Sequence, residues 1–223
     1  MKHATKLFSA DDHKRITATV AKAEGRTSAE IVPVVASRSG RYDRGEDICG
    51  LMLGLAAFVA IWFFFQAPKE SAWGTSYVID WWHVLVIVIV GFAVGAGLAS
   101  RLGGLALLFT PRREAAAEVD RAARQLFFDQ RIHHTKGSHG LLVYVSLLEH
   151  QAVILADAEV TAKLGQNILN SLCRDLTKAL HTKPITDALE ETIVKAGEHL
   201  GTVLPRQGDD QNELADALIL IDA

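Results

Sequence analysis

Two long runs without a charged side chain constrain this chain more than anything else in it. Ile48 to Gln66 reads ICGLMLGLAAFVAIWFFFQ, and Trp82 to Ser100 reads WHVLVIVIVGFAVGAGLAS. At 1.5 Å per residue, each makes roughly 28 Å of helix, close to the thickness of a bilayer's hydrocarbon core. The competing reading is a pair of core helices in a soluble domain, and runs of this length argue against it twice over. A cleaved leader is not expected, because the first run starts only after a long polar segment.

The flanks agree with a membrane hairpin. Trp62, Trp73, Tyr77, Trp81 and Trp82 gather at the run ends and in the linker, where amphipathic rings favour the headgroup level, and His83 falls in the same zone. Arg38, Arg41 and Arg44 precede the first run, while Arg101, Arg112 and Arg113 follow the second. The positive-inside rule then sets both termini in the cytoplasm and residues 67–80 outside. Gly50 and Gly54 form a small-residue ladder on the first span, and Gly91, Gly95, Ala99 and Gly103 form one on the second. Such faces let helix backbones meet in lipid, where packing rather than hydrophobicity drives association. Leu55 and Val88 are expected on other faces. The string GAGLAS mimics a dinucleotide-binding motif but lacks a preceding strand. Leu102 to Phe109 is too short for a third span and suits an interfacial segment.

Composition narrows the remainder. With 23 Lys+Arg against 26 Asp+Glu, there is no cationic excess for phosphates, so no nucleic-acid partner is expected. Two cysteines, Cys49 and Cys173, make no disulfide framework. A mean hydropathy of +0.18 is concentrated in the hairpin, residues 48–109. Residues 1–47 and 110–223 then form two parts of one soluble domain.

In the first part, Ser9 and Asp12 start a helix that Gly25 ends, and Glu30 to Ala36 is a buried strand. Pro33 lacks a ladder donor and calls for an edge or a bulge. In the second part, Pro111 opens a helix with an apolar stripe through Val119, Ala123 and Phe127. Gly140–Leu147 and His150–Asp157 are two strands at hairpin spacing. Leu164, Ile168, Leu172 and Leu176 mark one long helix; Thr186 caps another that ends at Gly201, and Ala217 to Ile221 adds a short strand. Strands bracketed by amphipathic helices give an α/β fold, a three-layer α/β/α sandwich around a small mixed sheet, interrupted by the transmembrane hairpin.

The segments FSADDHKRITATVAKAEGRTSAEIVPVVA, HGLLVYVSLLEHQAVILADAEV and DDQNELAD resemble the TPM-domain family in its short bacterial membrane form. Leu141 to Asp157 is the most specific block. The resemblance implies the same α/β/α sandwich. For function it implies upkeep of membrane complexes, as in plant relatives linked to photosystem II repair, or a phosphatase activity proposed for the family. It also implies divalent cations such as Ca2+ near the strand ends. The family's Asp-Asn-Gly before the second strand is replaced here by Lys136-Gly137-Ser138-His139-Gly140, which removes one oxygen ligand from such a site.

Glu149 and Asp157 bracket one strand and match family-typical positions; with His139 they are the candidate ligand or cation set. Their competing roles are turn formation for Glu149 and helix capping for Asp157. His133, His134, His139 and His150 would suit zinc by residue type, but their spacing matches no zinc motif. Asp209, Asp210, Glu213 and Asp216 form an acidic cluster, which reads first as a solvated tail. Cys173-Arg174 lies in a helical pattern, and neither a Gly-x-Ser-x-Gly elbow nor a P-loop occurs. The expectation is therefore a multi-pass protein of the bacterial inner membrane whose cytoplasmic domain is an interaction or assembly module for membrane complexes. The alternative is a weak, cation-dependent phosphatase.

Overall fold

The computed structural model describes residues 3–64, 68–77, 80–132, 139–206 and 217–222. Contacts divide the chain into two units: Arg41–Ala115, and Lys2–Gly40 together with Ala116–Ala223.

The second unit is mixed α/β. Its helices are α1 (Ala4–Leu7), α2 (Ala10–Glu24), α6 (Arg112–Asp129, shared with the first unit), α7 (Ala158–Leu164), α8 (Gln166–Thr182) and α9 (Ile185–Val203). Its strands are β1 (Glu30–Ala36), β4 (Gly140–Ser146), β5 (Gln151–Ala156) and β6 (Ile219–Ile221). They form a four-stranded sheet in the order β5-β4-β1-β6. β1 runs parallel to β4 from Glu30↔Gly140 to Ala36↔Ser146 and parallel to β6, while β5 returns antiparallel to β4.

Period-two alternation sorts the side chains of β1 and β4 into two buried clusters. Ile31, Val35, Leu141, Val143 and Val145 join Val20 of α2, Leu172 of α8 and Ile193 of α9. Val32, Val34, Ala36, Leu142 and Tyr144 instead join Val119, Ala123 and Phe127 of α6. Both β1 and β4 are buried along their whole length, as expected of strands covered on both faces. Each such aliphatic side chain contributes about 1.5–3 kcal/mol by leaving water.

α2 begins and ends where the sequence indicates. Ser9 and Asp12 form a reciprocal capping box, and Gly25 is the C-cap. Asp12 is held below the usual carboxylate range by hydrogen bonds from the Ser9 side chain and backbone, and from Thr186. Pro33 sits in β1 between two neighbours, yet β6 reaches only Val34–Ala36. Among the described residues, the stretch at Pro33 therefore has a strand on one side only, and the missing N–H is tolerated as at an edge.

Two helix expectations need correction. The long helix through Leu164 and Leu176 is two helices, α7 and α8, broken at Gly165, whose φ of +83° is accessible to glycine and strained for other residues. The following helix is not capped by Thr186: Pro184 is its N-cap, Thr186 is buried inside it, and Gly201 lies within it rather than at its end.

The first unit contains α3 (Asp43–Phe64), β2 (Pro68–Ser71), β3 (Gly74–Tyr77), α4 (Trp81–Arg101) and α5 (Gly104–Leu108). α3 and α4 are each long and apolar enough to cross a membrane. A β-carbon built on Gly91 would stand 2.8 Å from Gly54 Cα, and one on Gly95 would stand 2.8 Å from Gly50 Cα. Moving four residues up one helix moves the contact four residues down the other, so the pair is antiparallel. Gly95 and Ala99 are buried in α4, and Gly50 and Gly54 in α3. Val88 is not remote from this seam, because its carbonyl oxygen would meet a β-carbon on Gly54 at 2.9 Å. Away from the seam the apolar side chains are open, Phe64 at 80% and Ile89 at 57%. The linker forms a two-stranded antiparallel ribbon, Pro68↔Tyr77 to Ser71↔Gly74, with Trp73 at its turn 99% exposed. The segment expected at the interface is helical as α5, and Gly45 of α3 lies so close to it that a β-carbon would run into the Ala106 carbonyl.

Candidate functional site

In sheets with parallel strands, ligands bind outside the carboxyl ends of the strands. At that edge of the α/β unit, the ends of β1, β4 and β6 carry Ser37, Ser39, Ser146, Glu149 and Asp222.

Two hydrogen-bonded groups form there. In the first, Glu149 Oε1 accepts from the Ser39 backbone N–H at 2.9 Å, and its Oε2 accepts from the Ser146 hydroxyl. Ser39 Oγ donates to Ser146 Oγ at 2.7 Å and lies 2.9 Å from the Tyr144 hydroxyl. Burial pushes the Tyr144 phenol above its ordinary range; the Ser39 hydrogen bond opposes this, and the nearby Glu149 carboxylate adds to it. Glu149 is 7% exposed and Ser146 1% exposed. This group ties the segment leaving β1 to the turn between β4 and β5. Its oxygens are engaged with one another rather than aimed at a substrate.

In the second group, Asp222 just beyond β6 accepts from Ala4 N at 2.8 Å and from the hydroxyls of Thr5 and Ser37. Ala4 N also donates to Ser37 Oγ at 2.7 Å. The carboxylate thus covers exposed donors at the start of α1, although the local N-cap, His3, makes no side-chain cap. These bonds, Ser37 first and Thr5 second, hold Asp222 at about 2.

The predicted trio does not assemble. Glu149 lies in the turn after Ser146, whereas His139 and Asp157 lie at the other end of the β4–β5 pair, where Leu141 faces Ala156. There His139 O accepts from Glu30 N, and Asp157 N donates to Gly140 O at 2.9 Å. Asp157 caps α7, its Oδ1 accepting from Ala158 N at 2.7 Å. Among the described residues, no three His, Cys, Asp or Glu side chains converge as a metal site. His133, His134 and the acidic cluster Asp209, Asp210, Glu213 and Asp216 lie outside the described residues.

His150 adopts φ +51°, with Nδ1 3.1 Å from Leu148 O. Cys173 is half-buried against Ala152 O at 3.1 Å, and burial raises its thiol above the ordinary range, which disfavours the thiolate a nucleophile needs. Tyr144, Ser39, Ser146 and Asp222 escape sequence reading. Serines scattered between strands carry no motif, and only the parallel register of β1, β4 and β6 brings them to one edge.

No family model matches the chain, and no curated protein matches it. The fold is similar to the NMR structure of the BA42 protein from the psychrophilic bacterium Bizionia argentinensis, with a TM-score of 0.55 at 17% identity. That similarity covers 97% of this chain and 95% of the other. At this identity the likeness is one of fold.

Proposed function

We propose that this chain is an integral membrane protein of the TPM-like kind, with an α/β/α sandwich domain that acts as an interaction or assembly module for membrane complexes. The observation that carries the reading is the α3–α4 pair. Its glycine faces are consumed by contact between the two helices, and its remaining apolar surface is left open. A continuous apolar surface of that extent is stable in lipid and a liability in water. The arginines on the outer flanks of the hairpin support an orientation with both termini in the cytoplasm of a bacterial inner membrane. The two buried clusters on the faces of the sheet support the three-layer arrangement. A non-catalytic role is favoured by the carboxyl-edge network, whose carboxylates serve the protein's own donors.

Purification from mild detergent tests this. The intact chain is expected to travel with a reproducible set of membrane proteins in a complex larger than its own 24.3 kDa and micelle. Recovery as a lone monomer, or release without detergent, would refute the reading.

A further inference from the structure

Beside the Glu149 turn, the α/β unit has a cleft of about 290 Å³. Its apolar wall comes from Val145 and Leu147 at the end of β4, Leu180 near the end of α8, and Ile185 at the start of α9. Its ionisable lining consists of His150, His181 and Lys183, with no carboxylate among the lining residues. We propose that this cleft binds a small amphipathic anion, an apolar body bearing one carboxylate or phosphate. The inference does not depend on the membrane reading.

The size follows from the volume. At roughly 30 Å³ for each water-sized group, the cleft holds on the order of ten non-hydrogen atoms. The sign follows from the lining. Lys183 Nζ is 2.5 Å from Glu191 Oε2, and Glu191 is shared with Lys195 at 3.0 Å, but Glu191 itself stays outside the lining. An ammonium has three donors, so this pairing holds Lys183 at the rim and leaves donors for a ligand oxygen. His150 lies in the same lining, with its Nδ1 held 3.1 Å from Leu148 O. Its left-handed backbone is uncommon for a non-glycine residue and is of the kind found at functional positions. An apolar wall with a few polar groups at one rim is the ordinary form of a small-molecule site.

The experiment uses the full chain in phosphatidylcholine nanodiscs, with methyl-labelled Leu and Ile followed by NMR during titration. The probes are benzoate, phenyl phosphate, neutral benzyl alcohol and cationic benzylamine. At least one anion is expected to shift the Leu147, Leu180 and Ile185 methyls saturably. Benzyl alcohol is expected to bind about tenfold more weakly, the worth of one charge-assisted hydrogen bond, and benzylamine not at all. Lys183→Met should remove most of the anion's advantage, and Lys183→Arg should keep it. The tighter of the two anions identifies the head group as carboxylate or phosphate. Equal affinity for anion, alcohol and amine, saturable shifts confined to other methyls, or no saturable shift with either anion would overturn the proposal.

Discussion

Gly91 and Gly54 face each other so closely that a single β-carbon on Gly91 would lie 2.8 Å from Gly54 Cα. No side chain fits between the backbones of α3 and α4 at this point. Gly54→Leu and Gly95→Leu are therefore expected to destabilise the helix pair by about 1–3 kcal/mol, the usual cost of overpacking. Leu55→Ile and Ile89→Leu, on open faces, should change little. Thermal unfolding in detergent reads the difference.

The topology has an equally direct check. Trp73, fully exposed at the turn of the β2–β3 ribbon, is expected on the non-cytoplasmic side of the membrane, and Lys14, exposed on α2, on the cytoplasmic side. An impermeant thiol reagent applied to intact cells should label Trp73→Cys and spare Lys14→Cys. The reverse pattern would overturn the arginine-based orientation.

Glu149 and Asp157 were expected to act together, but they stand at opposite ends of β5 with separate partners. Glu149→Ala strands the Ser39 N–H and the Ser146 hydroxyl in a buried place and should cost about 1–3 kcal/mol. Asp157→Ala removes a helix cap and should cost about 1 kcal/mol. With no shared partner, the two losses should add within about 0.5 kcal/mol in the double variant. Phosphatase activity of the purified protein is expected to be negligible throughout. Turnover that follows the protein and collapses in both single variants would favour the enzymatic alternative.

The local signals in this sequence were readable because each has a local cause. The Ser9–Asp12 capping box, the Gly25 stop, the hairpin spacing between β4 and β5 and the glycine ladders are all written within a few residues. Gly165 was missed because the apolar period runs through it in phase, and only its positive φ reveals the break. The β2–β3 ribbon was hidden by a linker with little alternation. The polar groups at the carboxyl edge were illegible for a different reason. Thr5 and Ser37 meet Asp222 across nearly the whole chain, and nothing near any of them in sequence marks the meeting.

That last contact makes a prediction about acid. Asp222 is held at about 2 by its hydrogen bonds to Ser37 and Thr5, against an ordinary value of 3.8. A depressed folded-state value means that the unfolded chain binds a proton more readily than the native one. The stabilisation is therefore complete above about pH 4, and protonation removes it as the pH falls through about 2. Asp222→Asn keeps an acceptor beside Ala4 N and Thr5 but lacks the charge, so it separates the charge from the shape. At neutral pH the variant should unfold at a lower urea concentration than the parent. The gap should narrow between pH 4 and pH 2 as the parent loses its own charge. A gap that stays constant across that window would show that the Asp222 carboxylate is not what fastens the start of α1 to the end of β6.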